Sequence, residues 1–172
     1  MCSITSKEVI TSNFVSLKIF LVVAAGNQRL ATSVYPGYLA LNEEVGDRVM
    51  IAGAWDQRGN GKVISNKAGT VCFDFNNETQ TCNNKRLISD HYILAPGRYV
   101  ASTVDGGEYR TLSGSSMAAP AVSGAVAIIH QMWPHMKGEN LAKLLLNTAD
   151  KEIYSYDVHV HGQGLLDLAE AT

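Results

Sequence analysis

Charged residues are scarce in this sequence of 172 amino acids, at 17%, compared with the ~25% that is typical of soluble globular chains. Apolar residues make up 46%, and the formal net charge is −2. This composition excludes a disordered chain and a coiled coil, and the lack of a basic stripe argues against nucleic acid as a partner. No apolar run reaches the ~18 residues of a membrane-spanning helix, so no membrane span is expected. The composition favours a compact domain with an apolar core.

Cysteine is also scarce, with Cys2, Cys72 and Cys82 as the three thiols. Three cysteines do not form a disulfide framework. Cys72 and Cys82 either close a small loop in a secreted chain or remain free thiols, and the sequence does not separate these alternatives. Residues 15–26 share features with the apolar segment of a signal peptide, but Lys18 interrupts them, and a buried strand is the preferred interpretation.

Alternating strand and helix patterns predict an α/β fold, with a mostly parallel sheet flanked by helices. Strands are predicted over residues 17–25, 47–54, 92–94 and 99–103, and helices over residues 117–132, 138–149 and 165–171. The polar residues 70–90 predict a surface insertion or a hairpin. The helix over 117–132 is apolar nearly all round, which is typical of a helix in the middle of a domain.

Ser116 stands between a glycine-containing turn and the start of this apolar helix. Because Gly114 has no side chain, the backbone of a substrate can approach the turn closely. The free N–H groups in the first turn of a helix would stabilise an oxyanion that forms beside the serine hydroxyl. Ser116 is therefore a candidate nucleophile. The alternative is that Ser115 or Ser116 only caps the helix.

Asn27 follows the predicted strand over residues 17–25. In open α/β sheets, ligands bind at the carboxyl ends of the strands, where an amide side chain can donate a hydrogen bond into the cleft. The alternative is an asparagine that only favours a left-handed turn after Gly26. Neither Asn27 nor Ser116 decides the function by itself.

Considered with their neighbours, these residues resemble those of a known family. Residues 112–120, LSGSSMAAP, closely resemble the nucleophile motif of subtilisin-like serine proteases, Gly-Ser/Thr-Ser-Met-Ala-x-Pro. Residues 22–27, VVAAGN, resemble the oxyanion-hole strand of that family. Further matching blocks follow in the family's order: Tyr35-Pro36 and residues 51–54, 65–69, 93–97 and 162–167. The strings SNKAG and GLLDL are most similar to those of bacterial autotransporter-type subtilases.

The resemblance assigns roles to particular residues. It implies that Ser116 is the acylating nucleophile, and that the Asn27 amide and the Ser116 backbone N–H form the oxyanion hole. Ala24, Ala25 and Gly26 would line the pocket for the side chain that precedes the scissile bond. The implied substrate is a peptide or protein, and no cofactor is expected. Some subtilases bind calcium through loops, but no matching acidic loop is identifiable in this sequence, so no metal is expected either. Secretion or display at the cell surface is implied as well.

Two blocks of the family are missing. In subtilases the triad order is Asp, then His, then Ser; the Asp lies in an Asp-Ser/Thr-Gly block and the His in a His-Gly-Thr block, both upstream of the oxyanion strand. Only 26 residues precede Asn27, and all five histidines follow it. Residues 17–172 therefore resemble the C-terminal part of a subtilisin-like peptidase domain, with residues 1–16 unassigned. We expect the triad Asp and His to come from a missing amino-terminal portion of the same domain, and the chain alone to be poorly active.

Two other functions are compatible with the sequence. One is a non-catalytic or vestigial fragment that only binds peptide. The other is an esterase of the α/β-hydrolase type, in which Ser116 would be followed by Asp150 or Asp157 and by His159 or His161. That fold requires Gly-x-Ser-x-Gly, whereas residues 114–118 are GSSMA. His159 and His161 are instead expected on alternating faces of an extended loop, and their spacing alone is a weak metal-ligand signal.

Overall fold

The computed structural model describes residues 20–33, 37–58, 61–71, 75–76, 81–82 and 86–172. The strands are β1 (Leu21–Ala24), β2 (Val49–Asp56), β3 (Lys62–Val63), β4 (Phe75–Asn76), β5 (Thr81–Cys82), β6 (Tyr92–Pro96), β7 (Val100–Thr103) and β8 (Tyr109–Leu112). The helices are α1 (Ser115–Met132), α2 (Gly138–Asn147) and α3 (Val158–His161), with 3-10 segments at Gly37–Leu41, Gly46–Arg48, Ile88–His91 and Asp105–Gly107.

The central strand of the main sheet is β2. It pairs in parallel with β1, with Val23 opposite Ile51, and in parallel with β6, with Ala52 opposite Ile93. Among the described strands, only the short β3 joins this sheet in the antiparallel direction, at the end of β2. The described part of the chain thus confirms the predicted α/β fold with a mostly parallel sheet.

Side chains of β2 alternate between two apolar layers. Met50, Ala52 and Ala54 belong to the layer that contains α1 and α2, whereas Val49 and Ile51 belong to the layer on the opposite face of the sheet. Because both faces are covered, the strand is apolar along nearly its whole length, as expected for a parallel sheet. This arrangement holds the carboxyl ends of β1 and β6 in fixed positions beside the start of α1.

Only one face of α1 is covered by described residues. Val122, Ala125 and Ile129 are buried in the first apolar layer. On the other side of the helix, Ile128 is 44% exposed and Met132 is 48% exposed. The prediction that this helix lies inside a domain is therefore confirmed for its inner face, whereas its outer face is not covered by any residue that the structure describes.

Near the carboxyl end, two predictions are wrong. No helix forms over residues 165–171, because Leu165 bridges both Leu94 and Asp150, and the Leu166 N–H donates to the carbonyl of Leu94. Leu165 instead lies beside β6 through these isolated bridges, and residues 168–171 form turns. His159 and His161 do not lie in an extended loop but in α3, whose first turn is capped by Asp157 accepting a hydrogen bond from the His159 N–H at 2.8 Å.

Of the two alternatives for residues 70–90, a surface insertion or a hairpin, the hairpin is confirmed where the chain is described, since β4 and β5 pair in the antiparallel direction. The state of the Cys72 thiol, the Tyr35-Pro36 loop and residues 1–16 lie outside the described residues. Within the described ranges, no helix is both long and apolar enough to cross a membrane.

Candidate active site

The turn that leads into α1 is tied to the chain that leaves β6. The Gly114 N–H donates to the carbonyl of Gly97 at 2.7 Å, and the Tyr99 N–H donates to the Ser113 hydroxyl at 2.9 Å. Gly114 has φ +143°, a backbone conformation that favours glycine. A Cβ atom at this position would lie 2.8 Å from the Asn27 Nδ2 atom. The turn therefore requires glycine both for its backbone and for the close approach of Asn27.

Ser116 is the second residue of α1, because the helix begins at Ser115 and not at the predicted residue 117. Its side chain is exposed, and its hydroxyl has no hydrogen-bond partner among the described residues. Its backbone N–H belongs to the first turn and has no helical acceptor. Pro120 has no N–H to donate to the Ser116 carbonyl, so this carbonyl also lacks its helical partner. Ser116 thus presents a free hydroxyl and a free N–H at the start of a helix.

The capping interpretation of the two serines is wrong. The residue that precedes the helix is Gly114, and no side chain of a described residue caps α1. Ser115 is fully buried, and its hydroxyl accepts a hydrogen bond from the Gly26 N–H at 3.1 Å. The buried serine therefore joins the turn to the end of β1 and leaves its neighbour Ser116 exposed.

Asn27 is bound to Ser115 through its side-chain oxygen. The Oδ1 atom accepts from the Ser115 N–H at 2.9 Å and from the Ser115 hydroxyl at 3.0 Å. Both bonds fix the amide orientation, and the Nδ2 hydrogens have no acceptor within the described ranges. The left-handed turn here is made by Gly26, with φ +93°, and by Arg29, with φ +60°, and not by Asn27. Asn27 therefore keeps a free donor beside the helix start that carries Ser116.

Residues Ala24, Ala25 and Gly26 run from the end of β1 to Asn27. The Ala25 carbonyl accepts from the Asn66 Nδ2 atom at 3.0 Å and from the Ser33 hydroxyl at 3.3 Å. These two hydrogen bonds fix the backbone path of the segment up to Asn27.

Asn66 is the residue that the sequence interpretation missed. It is fully buried; its Oδ1 atom accepts from the Leu30 N–H at 3.0 Å, and its backbone N–H donates to the Gly26 carbonyl at 2.8 Å. The Tyr92 hydroxyl donates to the Asn66 carbonyl at 2.7 Å, and burial raises the pKa of that phenol. The sequence signal for this residue was the block SNKAG, and that block does not show that its asparagine is buried.

A cavity of about 300 Å³ opens beside Asn27. The residues that line it are Asn27, Arg29, Ile64, Arg98, Tyr99, Ser113 and Gly114. Arg98 Nη1 donates to Asp56 at 2.5 Å, and its Nη2 donates to the Tyr99 hydroxyl at 3.2 Å. This hydrogen bond and the guanidinium charge of Arg98 lower the pKa of Tyr99.

The order and identity of these elements match a known family over most of the chain. The sequence model of the Subtilase family matches residues 5–165. This chain belongs to the subtilase family. Subtilisin BL from Lederbergia lenta is 29% identical over 159 residues, which cover 90% of this chain and 46% of that protein. The subtilase chain described here therefore spans less than half the length of this curated relative.

Solved structures agree with the fold. Fervidolysin from Fervidobacterium pennivorans, described as a keratinolytic enzyme related to subtilisin, has a TM-score of 0.66 at 27% identity and covers 99% of this chain and 24% of its own. The prenylagaramide maturation protease PagA has a TM-score of 0.68 at 22% identity, over 96% of this chain and 53% of its own. The similarity to PagA supports the fold alone. Serine protease chemistry is thus the activity of the family to which this subtilase chain belongs.

None of the described histidines of this subtilase chain forms a hydrogen bond with Ser116. His161 stacks on Tyr156, with ring centroids 5.9 Å apart, and meets Trp55 edge-on at 6.1 Å. Burial lowers the pKa of His161. The Asp157 carboxylate accepts a hydrogen bond from the His159 N–H and so caps the first turn of α3. The Ser-Asp-His arrangement of an α/β-hydrolase therefore has no support among the described residues.

Proposed function

We propose that residues 17–172 are the C-terminal part of a serine endopeptidase domain in which Ser116 is the nucleophile and Asn27 stabilises the oxyanion. The observation that carries this proposal is the pair of hydrogen bonds from Ser115 to Asn27 Oδ1, at 2.9 and 3.0 Å. They leave the Asn27 Nδ2 hydrogens and the Ser116 N–H as free donors at one helix start. Such pre-oriented donors are what an oxyanion hole requires.

In the proposed reaction, the Ser116 Oγ atom forms a bond to the substrate carbonyl carbon while its proton passes to a base. The carbonyl oxygen becomes an oxyanion that accepts hydrogen bonds from Asn27 Nδ2 and from the Ser116 N–H. The C–N bond then breaks, and the amine leaves with the proton that the base returns. Water hydrolyses the ester that remains on Ser116, which restores the free hydroxyl.

The base has to come from residues that this sequence does not contain. A serine hydroxyl without a base is a weak nucleophile at neutral pH. In subtilisin, loss of the triad leaves an acceleration of only ~10³–10⁴ over water. We therefore expect the 172-residue chain alone to turn over peptides slowly at best.

We assign the source of that base to an amino-terminal portion of a subtilase domain, which would pack on the outer face of α1. Ile128 and Met132 are exposed on this face, and Gly124 has no atom within 4 Å of the position a Cβ would take. An exposed apolar helix face next to a catalytic serine is the surface that such a portion would cover.

The test is turnover of an internally quenched peptide by the full chain, with and without added imidazole as a substitute base. We expect a rate near background without imidazole and a faster rate with it, and no such increase in Ser116→Ala. Circular dichroism would verify that both proteins are folded.

Protease-like turnover without imidazole would contradict the absence of a base in this chain. No turnover by a folded chain at any imidazole concentration would contradict the roles of Ser116 and Asn27, and would favour a fragment that only binds peptide. Secretion or surface display and the autotransporter type remain predictions from the sequence resemblance.

A further inference from the structure

We propose that the cavity beside Asn27 binds a carboxylate on the leaving-group side of the scissile bond, and that Arg29 is the residue that selects it. This inference rests on the proposed function, because it takes Ser116 as the point of attack. It adds to the proposed function a preference for acidic substrates.

The cavity combines positive charge with an apolar wall. Arg29 and Arg98 line it together with Ile64 and the ring of Tyr99, and no carboxylate is among its lining residues. Its volume of about 300 Å³ is at the small end of ligand clefts. The size and lining fit one side chain with a short methylene stem and a negatively charged end.

The two arginines have different roles. Arg98 is bound to Asp56, whose side chain is only 8% exposed, and to the Tyr99 hydroxyl. Its guanidinium is therefore held in place and its charge is largely balanced. The guanidinium of Arg58 lies 4.5 Å from the centroid of the Tyr99 ring. These contacts fix the ring of Tyr99 as one wall of the cavity.

Arg29 is exposed and has no ion-pair or hydrogen-bond partner among the described residues. Its backbone is in the left-handed region, with φ +60°, which is uncommon for a residue other than glycine. The following N–H, of Leu30, is held by Asn66 Oδ1 at 3.0 Å. The loop therefore presents an unpaired positive charge from a fixed backbone position two residues after Asn27.

The position of the cavity decides which part of a substrate it receives. Ala24, Ala25 and Gly26, which we assign to the side chain preceding the scissile bond, are not among its lining residues. Asn27 and Gly114 form one of its walls. A peptide attacked by Ser116 would thus direct its leaving-group side toward Arg29. The carboxylate could belong to a Glu or Asp side chain or to the chain terminus of the substrate.

The test measures binding of uncleaved peptides to the full-length Ser116→Ala chain by NMR titration. Acetyl-Ala-Ala-Leu-Glu-Ala-amide carries a side-chain carboxylate, acetyl-Ala-Ala-Leu-Gln with a free terminus carries a terminal one, and acetyl-Ala-Ala-Leu-Gln-Ala-amide carries neither. We expect one or both carboxylate peptides to bind about fivefold tighter than the neutral peptide, as for an exposed ion pair. Whichever binds tighter identifies the source of the carboxylate.

Arg29→Gln should abolish this preference, and Arg29→Lys should retain part of it. Arg110→Gln is the matched control, because it removes one exposed arginine, 67% exposed and paired with Glu108, from outside the cavity lining. Added salt should weaken the preference. Unchanged amide chemical shifts away from the loop would verify the fold of each variant.

Equal affinity for all three peptides, or a preference that survives in Arg29→Gln, would overturn the inference and leave the proposed function untouched. Absence of binding by any peptide would also overturn it. In that case, labelling of Ser116 in the wild-type chain by a fluorophosphonate would still support the proposed function, and absence of labelling would contradict both.

Discussion

The side-chain oxygen of Asn27 accepts two hydrogen bonds from Ser115, one from its backbone N–H and one from its hydroxyl. Ser115 is the residue directly before Ser116, so the two candidate catalytic residues are connected through a buried neighbour. Rotation of the Asn27 amide would break both bonds, which hold the Nδ2 atom close to Gly114, two residues before Ser116. The orientation of one candidate residue is thus set by the backbone that carries the other.

Asn27→Asp separates the two functions of this amide. The carboxylate keeps the acceptor for Ser115 but has no donor and adds a negative charge where an oxyanion would form. We expect the free energy of unfolding to change by less than about 1 kcal/mol, while the imidazole-assisted rate falls by ~10²–10³. Chemical denaturation and peptide turnover measure the two effects. An unchanged rate in Asn27→Asp would contradict the oxyanion role.

Two glycine-to-alanine substitutions test the packing of the sheet. A Cβ at Gly53 would overlap the hydroxyl and ring of Tyr92, whereas one at Gly124 would meet nothing within 4 Å. We expect Gly53→Ala to lower the free energy of unfolding by about 1–3 kcal/mol, and Gly124→Ala to raise it by about 0.5–1 kcal/mol. Urea denaturation measures both. Equal effects of the two substitutions would contradict the described contact between β2 and β6.

Stability should fall in mild acid because two histidines are buried. Burial lowers the pKa of His91, with a further contribution from the charge of Arg86, and burial lowers the pKa of His161. Below the usual value near 6.5, the unfolded chain binds protons that the folded chain does not, so the free energy of unfolding decreases as the pH falls. Above that pH both states are neutral, and these histidines add no pH dependence.

Urea denaturation between pH 8 and pH 5 measures this loss, and the double variant His91→Gln/His161→Gln is the comparison. We expect a shallower pH dependence in the double variant. Identical slopes for the variant and the wild type would contradict the burial of these two rings.

The outer face of α1 should govern self-association. Ile128→Lys places a charge on a side chain that is 44% exposed, so we expect the free energy of unfolding to change by less than about 0.5 kcal/mol. Association measured by analytical ultracentrifugation should decrease, because an exposed apolar patch is interrupted. A large loss of stability in the monomer would contradict the exposure of this face.

Sequence patterns predicted β1, β2, β6, β7 and the two long helices because their signals are local, whereas the short β3 and the exposed β8 were not predicted. The apolar run of β2 reflects burial on both faces of the sheet, and the apolar stretch of α1 reflects burial in the first apolar layer. Trp133-Pro134 marks the end of α1, because a proline disfavours the helical conformation of the residue before it. The helix predicted over residues 165–171 was wrong because Leu165 pairs with Leu94, a partner distant in sequence. No local pattern contains such a contact.

The candidate site was partly predictable for the same reason. Ser116 and Asn27 stand in short, specific motifs, so their positions could be read from the sequence. The roles of Ser115 and Asn66 depend on hydrogen bonds between segments 88 and 41 residues apart. Such bonds become visible only when the strands are assembled.

The most direct test of the central claim is labelling by a fluorophosphonate, with the modified residue located by mass spectrometry. We expect slow labelling of the folded chain at Ser116 alone, acceleration by imidazole, and none in Ser116→Ala. Labelling at another residue, or none on Ser116 in a folded chain with imidazole present, would contradict the claim that this helix start holds a serine nucleophile with a formed oxyanion hole.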